Sequence, residues 1–287
     1  MSDFVRQQNS ICDFSTSESW VILSPIEQSI KRKIEAVGTP LKDWDIQINY
    51  GIKTGFNDAF IISTEKRNEI LANCKTEDER QRTAELIRPI LRGRDIKRYG
   101  YVDNGLYLIN THNGVRGRIP RIKIEDYPAV KAHLDQYWDR IATRADKGDT
   151  PYNLRNCAYL EDFSKQQIVW IELSDDPKFA LAEKIMSVNT VFFMTGEHIL
   201  HLLGLLNSKL ITWYFKHCIG TTSGVGTNRW LKYTIEQIPM APVSSKLEDL
   251  SFHISKNYDD EKNQEIDLYV CRLYNLNEEE VYHIISQ

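Results

Sequence analysis

The chain has 287 residues, 41% of them hydrophobic and 26% charged, which is typical of a globular protein with a substantial core. It contains no low-complexity segment and no repeat at a solenoid period, so those architectures are excluded. The net charge of -4 argues mildly against nucleic-acid binding, but the charge is unevenly distributed. Residues 86–123 carry nine Lys or Arg against two Asp or Glu, whereas residues 246–287 carry four against ten.

The sequence shows no pattern of a signal peptide or of a membrane span. The first ten residues lack the apolar core of a signal peptide, and the most apolar stretch, residues 198–215, carries two His, an Asn and a Lys. That stretch is typical of a buried amphipathic helix. The five cysteines are far apart and form no C-x-x-C pair, which indicates reduced thiols. We expect a cytoplasmic protein.

Residues 24–38 predict a helix with both ends marked. Ser24 is the expected N-cap, Pro25 the first helical residue and Glu27 the partner in a capping box, while Gly38 ends the helix. The alternating residues 45–50 then predict a half-buried strand, and residues 59–62 its neighbour. Between them, residues 51–57 are expected to form an exposed turn.

The remaining elements follow from periodicity and from breaking residues. Helices are predicted over 77–91, from Pro128 onward, and over 197–216, 261–274 and 278–285, the last with Asn277 as N-cap and Glu280 in the capping-box position. Strands are predicted over 105–110, 167–173, 179–181 and 190–194. Residues 111–120, 147–156 and 220–228 are expected to be loops, and residues 92–99 a basic loop or short strand. This order predicts an α+β fold with mixed or antiparallel sheets and interspersed helices, and with a short helical C-terminal segment.

The stretch Asn49–Ile62, NYGIKTGFNDAFII, raises the question of a phosphate-binding loop. In a P-loop the Lys-Thr pair follows the second glycine and opens a helix. Here Lys53 and Thr54 precede Gly55, so the pattern does not indicate nucleotide binding. A structural turn and a contact loop that presents Lys53, Thr54 and Asn57 both stay open.

The basic middle segment places cations among aromatic residues and glycines. Arg92, Arg94, Lys97 and Arg98 surround Tyr99 and Tyr101, and Arg116, Arg118, Arg121 and Lys123 follow a glycine loop. Such side chains suit contacts to phosphates and base edges, although a solvated charged face is equally compatible with the composition.

A metal-dependent nuclease is a second interpretation. Asp95-Ile96-Lys97 fits the D-x-K half of a nuclease motif, but no upstream acidic partner is identifiable. Asp95 could instead orient the neighbouring Arg94 and Arg98. His198 and His201 are three apart without a third ligand, which indicates a helix pair and no metal site.

Several motifs in chain order resemble one family. They are GIKTGFNDAFII at Gly51, IRPILRGRDIKRY at Ile87, DYPAVKAHL at Asp126, EKIMSVNT at Glu183, LLGLLNSKLITWYF at Leu202 and IEQIPM at Ile235. The set resembles the TaqI-like C-terminal specificity domain, which is the target-recognition part of type IIG restriction-modification enzymes and related adenine-N6 DNA methyltransferases. The resemblance extends over residues 45–242.

The resemblance implies sequence-specific binding of double-stranded DNA by a target-recognition domain whose catalytic domains are absent from this chain. No methyltransferase tetrapeptide and no complete nuclease motif is present, so we expect no enzyme activity and no bound cofactor or metal in this chain. The parent protein would be an adenine-specific DNA methyltransferase, with or without endonuclease activity. It would use S-adenosylmethionine, and Mg²⁺ if a nuclease is present. An autonomous nuclease at Asp95 and Lys97, or a protein-interaction scaffold, is the alternative.

Three segments and ten contact residues follow from this interpretation. Residues 1–44 form a helical lead-in, 45–242 the DNA target recognition domain and 243–287 an acidic helical tail. The predicted DNA-binding residues lie on four loops and are Lys53, Thr54, Asn57, Arg94, Lys97, Arg116, Arg118, Thr227, Asn228 and Arg229. The expected partner besides DNA is a methyltransferase domain or subunit.

Overall fold

The computed structural model describes residues 23–222 and 227–286, without the side chain of Thr221. The helices, in chain order, are α1 Pro25–Val37, α2 Asn57–Phe60, α3 Thr64–Ala72, α4 Glu77–Leu86, α5 Pro128–Asp135, α6 Trp138–Thr143, α7 Ile199–Asn207, α8 Lys209–Tyr214, α9 Lys232–Ile235, α10 Ser245–Lys256, α11 Asp260–Leu273 and α12 Glu278–Ile285. The strands are β1 Thr39–Pro40, β2 Ile46–Tyr50, β3 Ile61–Ser63, β4 Ile87–Leu91, β5 Leu106–Ile109, β6 Gln166–Ile171, β7 Ala180–Glu183, β8 Met186–Ser187, β9 Val191–Gly196, β10 Thr221–Thr222, β11 Asn228–Arg229 and β12 Pro239–Met240.

Two compact units share these elements. The first unit consists of the chain up to Ile46, Glu172–Phe179 and the chain from Glu197 onward. The second unit consists of Gln47–Ile171 and Ala180–Gly196. The division of the sequence into segments 1–44, 45–242 and 243–287 stays a prediction.

Two four-stranded sheets organise the second unit. One has the order β2-β9-β6-β7, in which β6 pairs antiparallel with both β9 and β7. The other has the order β3-β5-β4-β8, in which β5 pairs antiparallel with β3 and β4 while β8 runs parallel to β4. One hydrophobic core joins both sheets and the helix α5, and its fully buried members include Phe60, Leu108, Val130, Val169 and Phe193.

The first unit is mainly helical. Its two-stranded pair β1 and β12 joins residues 39–40 to residues 239–240. Trp230 is buried, stacks on Phe215 with ring centroids 3.8 Å apart, and meets Phe179 edge-on. These three aromatic side chains come from separate stretches of sequence, so the core of this unit forms only after they meet.

The predicted caps are confirmed. The side chains of Ser24 and Glu27 each accept a hydrogen bond from the other's backbone N–H at the start of α1. Asn277 and Glu280 form the same capping box at α12. The strands predicted over 105–110, 167–173, 179–181 and 190–194 are present as β5, β6, β7 and β9.

Several element predictions are wrong at their ends. The predicted helix 77–91 stops at Leu86, and Pro89 lies inside β4 opposite Tyr107. The predicted long helix 197–216 is broken at Ser208, whose hydroxyl caps α8 by accepting from the N–H of Ile211. Helix α10, over Ser245–Lys256, has no counterpart in the sequence prediction. In the last two cases a side-chain cap or tertiary packing decides over the hydropathy pattern.

The fold class itself is confirmed as α+β, with antiparallel and mixed sheets, interspersed helices and a helical C-terminal segment. Among the described residues, no helix has the length and apolar content needed to cross a membrane.

Candidate nucleic-acid interface

Two of the predicted contact loops leave the same edge of a sheet in the second unit. Strand β4 is parallel to β8, and Ile52 forms a parallel bridge with Val188 immediately after β8. The N–H of Val188 donates to the carbonyl of Leu91 (3.0 Å), and the N–H of Ile52 donates to the carbonyl of Ser187 (2.6 Å). Since the three segments run in one direction, the chain leaves Ile52 and Leu91 at one edge, about 10 Å apart.

We call residues 51–57 the first loop and residues 92–104 the second loop. The first loop needs both of its glycines. A Cβ on Gly51 would collide with the backbone carbonyls of Ser187 and Val188, and Gly55 has a φ of +71°, which favours glycine. The two glycines therefore have structural roles, as expected.

The first loop differs from the exposed turn between two strands that the sequence predicted. Residues 57–60 form the short helix α2, and Thr54 is only 2% exposed. The hydroxyl of Thr54 donates to Oδ1 of Asn57 at 2.5 Å, so its hydrogen bond is made within the first loop. The expectation that Thr54 presents its side chain on the surface is wrong, because this hydroxyl points into the fold. Lys53 and Asn57 are exposed.

Arg144 holds the first loop to a segment whose greater part, residues 147–156, the sequence predicted as a loop. We call residues 144–156 the fourth loop. The guanidinium of Arg144, which is 7% exposed, donates to the carbonyls of Thr54, Asp146, Pro151 and Asn153. It also lies over the ring of Phe60, 4.3 Å from the centroid. Burial lowers the pKa of Arg144 to about 10, and the four carbonyl dipoles keep the cation solvated inside the protein.

The fourth loop is joined in turn to residues 111–122, which we call the third loop. The side-chain amide of Asn153 donates to the carbonyl of Ile122 at 2.9 Å, and the hydroxyl of Thr111 donates to the carbonyl of Tyr152 at 2.6 Å. Asn113 bridges to Asp149 through both its amide nitrogen and its amide oxygen. The first, third and fourth loops thus form one hydrogen-bonded cluster.

The cations of these loops fall into two groups. Lys53 pairs with Asp146 at 2.9 Å, and Arg118 pairs with Glu161 at 2.8 Å. Within residues 23–222 and 227–286, Arg94, Lys97 and Arg116 have no carboxylate at ion-pairing distance, and all three are exposed. No carboxylate of the described residues neutralises these three positive charges.

Asp95, in the second loop, is committed to the backbone of that loop. It is 3% exposed, its Oδ2 accepts from the backbone N–H of Arg92 at 2.9 Å, and its Oδ1 accepts from the amide of Asn104 at 2.8 Å. Burial raises the pKa of Asp95, but the hydrogen bonds and the charge of Arg92 outweigh it and hold the pKa below 3.8. The carboxylate orients Arg92, so the prediction that Asp95 orients Arg94 and Arg98 is wrong.

These contacts give Asp95 a structural role and leave it poorly placed as a metal ligand for a nuclease. No group of three or more His, Cys, Asp or Glu side chains that could hold a metal ion occurs in the described part of the chain. His201 is buried, its Nε2 donates to the carbonyl of Ala241 at 3.0 Å, and its ring stacks on Trp44. His198 faces Glu248.

The last group of predicted contact residues lies in the first unit. Nε and Nη2 of Arg229 both donate to Oε1 of Glu172, at 3.0 and 2.6 Å, and the amide of Asn228 donates to the carbonyl of Asp175. Thr227 lies immediately before β11 and is half-buried. Gly224 and Gly226 of the predicted glycine-rich loop lie outside the described residues.

The sequence predicted a loop over residues 147–156 but gave no functional role to it or to Arg144. A signal was available, because Arg144 follows Ile141 by three residues, the spacing of the buried face of the preceding helix. A cation at that position indicates a buried guanidinium that needs several acceptors.

The fold is similar to that of parts of two solved restriction-modification enzymes. It is similar to a solved structure of the type IIL restriction-modification enzyme MmeI in complex with DNA, with a TM-score of 0.57 and 14% identity over 87% of this chain and 37% of that one. It is also similar to the type IIG restriction endonuclease BpuSI, with a TM-score of 0.50 and 13% identity over 90% of this chain and 32% of that one. The chain spans about a third of the length of these structures.

The particular family follows from the sequence. The family model of the TaqI-like C-terminal specificity domain matches residues 88–240, more than half of the chain, and the chain belongs to that family. The predicted resemblance is therefore confirmed. The second, third and fourth loops and the segment Thr227–Arg229 lie inside the matched region, whereas the first loop precedes it.

Proposed function

We propose that this chain binds double-stranded DNA in a sequence-specific manner, as the target-recognition module of a restriction-modification enzyme. The observation that carries the proposal is the set of three exposed cations, Arg94, Lys97 and Arg116. They lie on loops whose positions are fixed by hydrogen bonds to β8 and to the fourth loop. The edge of the β4 and β8 pair positions the first and second loops, and the Arg144 cluster joins the first loop to the third. Family membership supports the same interpretation.

The loop side chains divide by chemistry. Arg94, Lys97 and Arg116 suit phosphate contacts, because they are exposed and their charge is unneutralised. Asn57 suits adenine and Arg118 suits guanine, as side chains that can make two hydrogen bonds to a base edge. Lys53, Arg118 and Arg229 first have to leave, or share, a carboxylate partner. Thr227 and Asn228 would contribute from β11 of the first unit.

The catalytic chemistry belongs to the parent protein in this proposal. A methyltransferase domain that uses S-adenosylmethionine would flip an adenine out of the duplex, while this chain selects the site. A nuclease domain of the parent would require Mg²⁺. Because such an enzyme encloses DNA between domains, the chain alone is expected to bind weakly and with strong salt dependence.

The test is a salt titration of DNA binding by the whole chain. Fluorescence anisotropy with a labelled random-sequence duplex is compared for the wild type, the variant Arg94→Ala/Lys97→Ala/Arg116→Ala and the control variant Lys66→Ala/Lys75→Ala/Arg80→Ala. The control removes three cations at and between α3 and α4, of which Lys75 and Arg80 are exposed and Lys66 is half-buried, so the net charge changes equally. Losing three phosphate contacts should reduce the slope of log Kobs against log salt by roughly 2–3 and the affinity at low salt by about 10- to 100-fold.

The proposal fails if the folded wild type binds no duplex at low salt, which would favour a protein-interaction scaffold. It also fails if the loop variant and the control lose the same affinity, since net charge alone would then account for the binding. Incubation of the wild type with plasmid and Mg²⁺ addresses the rival nuclease, for which cleavage abolished by Asp95→Ala is the diagnostic result.

A further inference from the structure

The fourth loop carries carboxylates that form ion pairs with cations of the first, third and fourth loops. Asp146 lies between two of them: its Oδ2 is 2.9 Å from Nζ of Lys53, and its Oδ1 is 3.3 Å from Nη1 of Arg155. Asp149 holds the third loop in the same way, with its Oδ2 3.0 Å from Nη1 of Arg121. One short segment thus neutralises three cations that belong to the first, third and fourth loops.

The pairs are exposed enough to open. The side chains of Lys53, Arg121 and Arg155 are 49%, 39% and 61% exposed, so water and counterions reach them. Exposed ion pairs contribute little free energy. A phosphate, like a carboxylate, presents negatively charged oxygen atoms that accept hydrogen bonds. A DNA backbone at this surface would therefore compete with Asp146 and Asp149 for the same donors.

The backbone of this segment is fixed even though its ion pairs are exposed. The carbonyl of Asp146 accepts from the buried guanidinium of Arg144, and the N–H of Asp149 donates to Oδ1 of Asn113. The two carboxylates consequently cannot drift away from the cations when the surface is free. Glu161 pairs with Arg118 just beyond the fourth loop, so the pattern extends along the third loop.

We propose that Asp146 and Asp149 determine how well this surface discriminates against non-cognate DNA, by occupying cations that would otherwise bind any phosphate. This inference rests on the proposed function. Non-specific binding depends almost wholly on phosphate contacts, whereas a cognate site adds contacts to base edges. Masked cations thus weaken binding to random sequence, because that binding has no contacts to base edges that could offset the cost of opening the ion pairs.

The test is the variant Asp146→Asn/Asp149→Asn of the whole chain. Asparagine keeps the size and one carbonyl oxygen, so Asn113 keeps an acceptor while the three cations lose their counter-charge. The control is Asp249→Asn/Asp260→Asn on α10 and α11, which changes the net charge equally at two exposed positions. Asp146→Asn alone is the second variant, for the case that the double variant does not fold, as thermal unfolding would show.

Two polyanions are used, a random-sequence duplex in a salt titration and immobilised heparin in a salt gradient. We expect the variant to bind the duplex roughly tenfold more tightly than the control at low salt, with a slope steeper by about 1–3, and to leave heparin at higher salt. Equal behaviour of variant and control overturns the inference. Weaker binding by the variant overturns it as well, because the carboxylates would then position the cations for DNA.

The proposed function and this inference can fail separately. If the wild type binds no duplex but the variant alone gains retention on heparin, the masking of the cations stands and the DNA-recognition function falls. If the wild type binds duplex and the variant matches the control on both polyanions, the function stands and the masking falls.

Discussion

At the scale of single residues, Asp95 shows how a motif-like residue acquires a different role in the structure. Asp95-Ile96-Lys97 fits half of a nuclease pattern, yet the carboxylate is buried and accepts four hydrogen bonds from Arg92 and Asn104. Those donors stabilise the charged form, which lowers its pKa despite burial. Asp95 therefore shapes the second loop from which Arg94 and Lys97 project.

Asp95→Asn should destabilise the protein by about 1–3 kcal/mol at pH 7, because a charged acceptor of several hydrogen bonds is lost. The folded pKa lies below the unfolded one, so the contribution of Asp95 is complete above about pH 4 and is lost as the pH falls through the folded pKa. Urea unfolding at several pH values should show the difference between variant and wild type shrinking in that acid range.

The control is Asp126→Asn, an exposed carboxylate of the same unit, which should change the free energy of unfolding by less than about 0.5 kcal/mol. A difference for Asp95→Asn that stays constant down to pH 2 would contradict the assigned role.

At the scale of elements, Arg144 decides the arrangement of the loops. It follows α6 and donates to carbonyls of the first and fourth loops, while Asn153 continues the connection to the third loop. Loops without regular hydrogen bonding need such side chains to satisfy their buried backbone groups. The three loops are thus held together by one buried cation and one buried amide.

Arg144→Met should cost about 2–4 kcal/mol of the free energy of unfolding, because several buried carbonyls lose their donor. Arg144→Lys should recover only part of that loss, since an ammonium lacks the planar fork that spans the loops. Chemical denaturation measures both. Arg140→Met is the control, because the exposed Arg140 lies over the face of Phe56, and its loss should cost no more than about 1 kcal/mol. Equal costs for Arg140→Met and Arg144→Met would contradict the role of Arg144.

At the scale of the whole molecule, distant stretches of sequence complete one unit. The C-terminal helices α10, α11 and α12 belong to the same unit as α1. Lys33 of α1 pairs with Glu280 of α12 at 2.6 Å, and the hydroxyl of Tyr274 joins the segment after α11 to β12. The acidic tail is therefore built into this unit, and its apolar residues Ile266 and Val270 are fully buried.

Tyr274→Phe tests this integration. The fully buried hydroxyl donates to the carbonyl of Pro239 at 2.7 Å and accepts from the N–H of Ala241 at 2.8 Å. Its removal leaves two buried backbone groups unpaired, which should cost about 1–3 kcal/mol in urea or thermal unfolding. Tyr282→Phe, at a side chain that is 75% exposed, should have almost no effect. Identical unfolding of the two variants would show that the tail does not depend on this contact.

Local rules explain most of what could be predicted. The two capping boxes and β6 appear where expected, because Ser24, Asn277 and the run around Val169 act on near neighbours in sequence. The long helix over 197–216 was wrong because the hydroxyl of Ser208 caps a new helix within an apolar run. The prediction of an exposed Thr54 was wrong because the burial of this residue depends on contacts with residues far along the chain.

The sequence by itself determined the α+β class, the capped helices, the family and the basic character of residues 86–123, since these depend on composition, short-range spacing and ordered motifs. Only the tertiary structure decided which cations are unneutralised and which are held by carboxylates. That distinction depends on pairs such as Lys53 with Asp146 and Arg229 with Glu172, which are 93 and 57 residues apart. Charges so far apart in sequence are brought together by the fold, and no local pattern encodes their distance.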